Sequence, residues 1–342
     1  MGNEFDKILK IIQKDIPLVK EPFSVLAQEV GIEEGKLLKT IEKLVEDGIV
    51  RHIAPIYDSR LLGYDSALIA FKVDRQKLEE VANFVNACPG VSHNYERTHD
   101  FNLWFTLAVP PEISELEDVV RLMAERERVK DYLVLRVVRL FKIGVKLDYE
   151  SPAEKESVDT KVYTYTPLTE EEKRIVSITQ GSFPLVERPF LEYAKRLRMS
   201  EEELLEKLSA LKERGVLRRI SAVLYHRRAG YVANAMSVWE VPEDAIEEVG
   251  RYIAGFKGVS HCYQRTTSEK FRYNLFAMMH GKGQEEIKLL AETISREKAL
   301  SKYALLFSTR EFKKVRIKYF SEEFERWFKE LISALEHHHH HH

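Results

Sequence analysis

The chain contains itself twice. Residues 17–23 read PLVKEPF and residues 184–190 read PLVERPF, an offset of 167. At that offset Gly48 falls on Gly215, Ile53 on Ile220, and Gly63-Tyr64 on Gly230-Tyr231. GVSHNYERT (90–98) then matches GVSHCYQRT (258–266) at 168, and Asn102-Leu103 matches Asn274-Leu275 at 172. The second copy has therefore gained four residues in that turn, and RLFK (139–142) and REFK (310–313) mark the last strand of each copy. Two copies with small insertions indicate duplication and fusion.

Each copy changes period partway. In the first part, Phe5, Ile8, Leu9, Ile11 and Ile12 form one apolar stripe. Val25, Leu26 and Val30 form a second, stopped by Gly31, and Leu37, Leu38, Ile41, Leu44 and Val45 form a third, stopped by Gly48. Three short helices with a glycine turn before the third predict a winged helix-turn-helix. The second part predicts strand 66–73, helix 75–86, strands 91–98 and 101–109, helix 112–128 and strand 132–142. That order, βαββαβ, describes a ferredoxin-like sandwich, so the fold class is α+β. The expected domains are 1–60, 61–150, 169–227 and 228–334, with a linker at 151–168 and an expression tag at 335–342.

Composition excludes several classes. The formal charge is −2, so no global field draws the chain to nucleic acid or acidic lipid. Two cysteines, Cys88 and Cys262, make neither a disulfide framework nor a zinc set. No apolar run has membrane-spanning length and no signal peptide opens the chain, which predicts a cytoplasmic protein. Without the tag, six histidines remain: His52, His93, His99, His226, His261 and His280.

A DNA-reading helix facing phosphates needs cations. Over 33–47, Glu33, Glu34, Glu42, Glu46 and Asp47 outnumber Lys36, Lys39 and Lys43. Over 200–214, Glu201, Glu202, Glu203, Glu206 and Glu213 outnumber Lys207, Lys212 and Arg214. Both helices would be repelled, unless Arg51 or Arg218-Arg219 supplies the missing charge. Little or no DNA binding is expected.

The most informative stretch is SHNYERTHDFNLWFT, 92–106. Strand alternation puts His93, Tyr95 and Arg97 on one face. Phe101, Leu103, Phe105 and Leu107 suit the helix layer, which leaves Asn102 and Trp104 on the open face with the first three. His99 stands in the turn. A turn histidine is commonly just solvated, and Tyr95 and Trp104 would also suit a dimer interface. Two histidines, an arginine and an indole converging within 93–104 argue for a site.

The two-domain order, present twice, resembles the Lrp/AsnC regulators, whose turn usually holds glycine where His99 stands. The run HNYERTHDFNLWFT is similar to the signature of siroheme decarboxylases, Lrp-like proteins of the d-type and alternative haem pathways. That resemblance implies loss of carbon dioxide from two ring acetates of siroheme, giving 12,18-didecarboxysiroheme. The family usually works as a pair of related subunits, and a fused pair fits this chain. No metal set, pyridoxal-lysine motif or nucleotide loop is visible, so no added cofactor is expected; the iron would belong to the substrate.

A flat macrocycle edged by carboxylates needs apolar faces and several cations. Cation candidates are Arg51, Arg97, Arg136, Arg139, Lys142 and Lys146 in the first copy. The second offers Arg218, Arg219, Arg265, Arg272, Arg310, Lys313 and Lys314. Loss of carbon dioxide leaves a carbanion equivalent at a methylene that must take a proton, and a histidine titrating near neutrality suits this delivery. His93, His99 and Arg97 are the expected catalytic residues. Tyr95, Asn102, Trp104, Arg51, Arg139, His261, Tyr263, Arg265 and Arg310 are the expected substrate contacts. In the second copy Thr267 replaces His99 and Phe276 replaces Trp104, so the first copy is the stronger catalytic candidate. His280 reads as structural. Two other readings share the fold: a transcription regulator, and a non-catalytic haem sensor or chaperone.

Overall fold

The computed structural model describes residues 2–142, 162–225 and 232–340. Lys146, His226, Gly230, Tyr231 and residues 151–161 of the expected linker lie outside the described residues. The first copy runs α1 (Gly2–Gln13), α2 (Pro22–Val30), α3 (Glu34–Glu46), β1 (Val50–Tyr57), β2 (Asp65–Phe71), α4 (Leu78–Asn86), β3 (Val91–Arg97), β4 (Leu103–Val109), α5 (Leu116–Arg126), β5 (Tyr132–Leu135) and β6 (Val137–Lys142). The second runs α6 (Glu170–Thr179), α7 (Pro189–Leu197), α8 (Glu201–Glu213), β7 (Leu217–Leu224), β8 (Ala233–Trp239), α9 (Ile246–Ala254), β9 (Val259–Arg265), β10 (Leu275–Gly281), α10 (Gln284–Lys298), β11 (Tyr303–Lys314) and α11 (Glu323–His340).

Two compact units form, grouped by domain type rather than by copy. One holds Met1–Tyr64, Lys161–His226 and Lys318–Ser321; the other holds Asp65–Thr160, Arg227–Ile317 and Glu322–His342. In the helical unit the Pro-Phe that ends each copy of the repeated motif is a helix start. Pro22 and Pro189 occupy the first turns of α2 and α7, where a missing N–H loses no bond. Phe23 and Phe190 behind them are fully buried. The wing is shared. A lone strand would leave its backbone groups unpaired, and β1 and β7 solve this by pairing antiparallel, Ile53 opposite Ala222 and Pro55 opposite Ile220. Ile16 N donates to Ile220 O at 2.8 Å, and Phe183 N to Ile53 O at 2.7 Å, one bond from each copy onto the other's strand.

In the sheet unit the strand order is β5-β2-β4-β3-β11-β8-β10-β9-β6. The last strand of each copy starts in its own sheet and ends in the other's. β11 pairs β8 from Tyr303 to Phe307, then β3 from Ser308 to Lys314. β5 pairs β2 and β6 pairs β9. Between β5 and β6 sits Arg136, whose guanidinium bonds Asp65 and Glu117.

Strand alternation then sorts the side chains. Ile69, Phe71, Leu103, Phe105 and Leu107 pack beneath α4 and α5 with Val81, Val85, Val119 and Met123. α11 adds Phe324, Phe328, Leu331 and Leu335 to this core, so Leu335, read as part of the tag, is buried in the first copy. The opposite faces bury each other: Ala70, Trp104, Leu133 and Leu135 meet Met236, Val238, Phe276 and Leu306. Phe101, expected on the helix side, belongs to this inter-copy core. It precedes β4 and lies in the turn, where strand alternation does not apply.

Candidate active site

Each copy sets the same three side chains in the same order on one strand. In β3, His93 Nδ1 lies 2.9 Å from Ser92 Oγ, the His93 and Tyr95 rings stack at 6.4 Å and 19°, and Arg97 lies 5.1 Å over Tyr95. In β9, His261 Nδ1 lies 3.0 Å from Ser260 Oγ, the His261 and Tyr263 rings stack at 6.2 Å and 19°, and Arg265 lies 5.1 Å over Tyr263. A β-bulge produces the serine contact. Val91 pairs Leu107 and His93 pairs Thr106; Val259 pairs Met279 and His261 pairs Met278. The unpaired serine bends the strand and brings its hydroxyl to the next ring.

The arginines are the electrostatic core of the site. Arg97 is 7% exposed, and its Nη1 donates to Leu306 O at 3.2 Å. Arg265 is half-buried, and its Nη1 donates to Leu135 O at 3.4 Å while its Nε is buried and unbonded. Desolvation pulls both guanidiniums down to about 10, so both remain cations at neutral pH. Among the described residues neither has a carboxylate partner. A desolvated charge without a counterion destabilises a fold, and such a pair suits an anion that arrives from outside. The copies differ beside it: Tyr95 Oη donates to Glu311 Oε1 at 3.2 Å, whereas Leu140 stands opposite Tyr263.

His99 is half-buried in the turn. Its Nδ1 accepts from Phe101 N at 3.0 Å. A backbone N–H can only donate, so Nδ1 is unprotonated and Nε2 carries the proton of the neutral ring. Desolvation lowers its pKa, opposed by Asp100. The four extra residues of the second copy explain the packing. A Ser268–Phe271 bridge places Phe271 edge-on to both His99 and Trp104, 5.5 Å from each. A cavity of about 400 Å³ opens beside His99, lined by Phe271, Arg272, Tyr273, Lys302 and Tyr303 among others. The insertion was visible as a length difference, but its role against His99 carried no sequence signal.

Several expected residues are engaged elsewhere. His93 and Arg97 are four strand residues apart, roughly 13 Å, and His99 lies beyond Arg97, so His93 and His99 do not converge on one methylene. Asn102 is a backbone clamp: Val73 N donates to its Oδ1 at 2.9 Å, and its Nδ2 donates to Val73 O at 2.8 Å. Trp104 is 1% exposed in the inter-copy core, its Nε1 donating to Phe101 O at 2.7 Å. Arg139 pairs Glu247 and Arg310 pairs Glu79, both at 3.1 Å, away from the arginine–tyrosine face. Lys142 and Lys313 donate to backbone carbonyls of Phe256, and of Asn86 and Cys88. Arg51, in the helical unit, lies 5.9 Å over the Tyr225 ring, and Arg218 pairs Asp58.

Both copies match two family descriptions: "AsnC-like ligand binding domain" over 61–142 and 228–313, and "Siroheme decarboxylase NirDL-like HTH domain" over 6–51 and 172–218. The siroheme decarboxylase NirDL subunit of Paracoccus denitrificans is 32% identical over 313 residues, covering 90% of this chain and 94% of that one. This chain belongs to the siroheme decarboxylase family. As a fused, two-copy siroheme decarboxylase it is a carboxy-lyase. The beta subunit from Methanosarcina barkeri is 39% identical and aligns over 95% of its own length but 42% of this chain, as expected for a subunit matching one copy of a fused pair. A crystal structure of siroheme decarboxylase NirDL is 92% identical with TM-score 0.87, covering 97% of this chain and 99% of that one. A second crystal structure, of NirDL in co-complex with an iron-uroporphyrin III analogue, is 91% identical with TM-score 0.86.

Proposed function

We propose that the chain binds siroheme on the two His–Tyr–Arg stacks and removes carbon dioxide from two of its acetates, giving 12,18-didecarboxysiroheme for haem d1 or alternative haem synthesis. The observation that carries this reading is the pair of desolvated, anion-less guanidiniums, Arg97 and Arg265, each laid over a tyrosine. Arg97 and Arg265 hold acetate or propionate carboxylates through charge-assisted, bidentate bonds. Tyr95 and Tyr263 offer flat faces to the macrocycle. Each reacting acetate loses carbon dioxide, the electron pair passes into the macrocycle, and the methylene takes one proton to become methyl. His93 and His261 give that proton in this reading, with His99 a further Nε2–H donor at the far end of β3. The complex of the 91% identical enzyme with a tetrapyrrole analogue supports the substrate class.

The iron enters with the substrate, and the chain works in the cytoplasm without DNA or membrane partners. No helix among the described residues is long and apolar enough to cross a membrane. Anaerobic incubation with siroheme, followed by mass spectrometry, tests the reading. Two successive losses of carbon dioxide are expected; recovery of unchanged siroheme would overturn it.

A further inference from the structure

The duplication supplies an internal control. Ala108 and His280 hold equivalent places in the two sheets: Ala108 N donates to Gly90 O at 2.8 Å, and His280 N to Gly258 O at 2.8 Å. The backbone frame is the same and the side chains are not. In the second copy His280 Nε2 lies 2.7 Å from Ser260 Oγ, which lies 3.0 Å from His261 Nδ1. His280 is buried, whereas His261 is half-buried beside Tyr263. In the first copy Ser92 meets His93 in the same way, but a methyl group stands where His280 would be.

We propose that Ser260 and His280 are positioning residues that hold a proton on His261 Nδ1, so that the proton His261 gives away is the one on Nε2. A serine hydroxyl has one proton to donate and lone pairs to accept with. With two ring nitrogens on Ser260 Oγ, it donates to one and accepts from the other. His280 is the more buried ring, and burial disfavours a charged form, so we assign the extra proton to His261. His261 Nδ1–H then donates to Ser260, and Ser260 O–H donates to His280 Nε2. When His261 gives its Nε2 proton to the methylene carbanion left by decarboxylation, the other protons stay in place and both rings end neutral. In the first copy the Ser92 proton has no second imidazole to receive it, so it can point back at His93 Nδ1, which favours the neutral ring. The assignment makes the second copy the better proton donor, reversing the preference that the sequence suggested.

This rests on the decarboxylase reading, so the test has two independent readouts. The first is ¹⁵N NMR of histidine ring nitrogens in the substrate-free full chain. His261 Nδ1 should be protonated in the wild type and lose that proton in Ser260→Ala and His280→Leu. The second is steady-state decarboxylation of siroheme. His280→Leu should lower kcat roughly tenfold, part of the ~10²–10⁴ that a placed acid supplies, with KM unchanged. His280→Gln, whose amide oxygen can accept from Ser260, should restore kcat, and Ser260→Ala should match His280→Leu. If His280 only fills space, the leucine variant will turn over like the wild type. If it only stabilises the fold, Leu and Gln will fall together. Either result, or an unchanged NMR pattern, overturns the relay. Should the wild type fail to decarboxylate siroheme, the functional reading falls while the NMR still decides whether the relay exists. Ser260→Ala, at a bulged strand position, keeps the question open to test if His280 variants do not fold.

Discussion

Arg97 donates to the carbonyl oxygen of Leu306, 3.2 Å away in the other copy, and Arg265 repeats the bond on Leu135 at 3.4 Å. A carbonyl satisfies one N–H but does not neutralise the charge. Apolar replacement of buried ionic groups is often neutral or stabilising by ~1–4 kcal/mol. Arg97→Met is therefore expected to melt at or above the wild-type temperature, while its affinity for siroheme, followed by absorbance titration, falls at least about tenfold. Arg97→Lys should not rescue binding, because an ammonium lacks the planar fork. A clear drop in melting temperature with unchanged affinity would make Arg97 a structural residue.

Asn102 and Asn274 close equivalent backbone gaps, on Val73 and Val241. Asn102→Ala leaves a donor and an acceptor of Val73 without a partner, which costs about 1–3 kcal/mol each when buried. Chemical denaturation should show a loss in that range, with KM for siroheme nearly unchanged. A raised KM at unchanged stability would return Asn102 to the substrate.

The repeat and the two domain types are legible because duplication and side-chain periodicity are written directly in the residues. His93, Tyr95 and Arg97 share a face because strand alternation fixes it. Alternation gives no guide in the turn. Phe101 and Asn102 stand before β4, and their directions follow the turn rather than the pleat. Trp104 was placed on the right face, but that face is a core once the second copy covers it. The strand exchange of β6 and β11 is a pairing between distant segments, and no local pattern records it. His280 looked structural because its partner, Ser260, reaches it only through a bulge.

Arg139–Glu247 and Arg310–Glu79 repeat one another across the exchanged strands, each with both side chains about half-exposed. Such pairs contribute about 0–1 kcal/mol. Arg139→Ala and Arg310→Ala should each shift unfolding free energy by less than about 1 kcal/mol and leave turnover within a factor of about three. A loss of siroheme affinity comparable to that of Arg97→Met would place them in the site.

The cations of the third helix in the second copy are already engaged. Lys207 pairs Glu171, Lys212 pairs Asp15 and Arg214 pairs Glu172. Gel shift at physiological salt should find no duplex bound more tightly than the non-specific ~10⁻⁶ M. Nanomolar, sequence-selective binding would restore a regulator's role.

His99 gives a pH test with a defined sign. Desolvation lowers its folded-state pKa below the ordinary 6.5, with Asp100 opposing. On acidification through that value the unfolded chain takes up a proton that the folded chain still refuses, so stability falls as pH drops and levels off below the folded pKa. His99→Gln does not titrate there, and comparison with it cancels every other group. Between about pH 7.5 and about pH 5.5 the melting temperature of the wild type should decline relative to His99→Gln. A constant gap would mean that the ring is solvated and free. The same variant separates binding from chemistry. It should still shift the siroheme absorption spectrum, since Arg97 and Arg265 remain, yet lose ~10²–10⁴ in turnover if the Nε2–H is a proton donor. Full activity in His99→Gln would leave proton delivery to His93 and His261 alone.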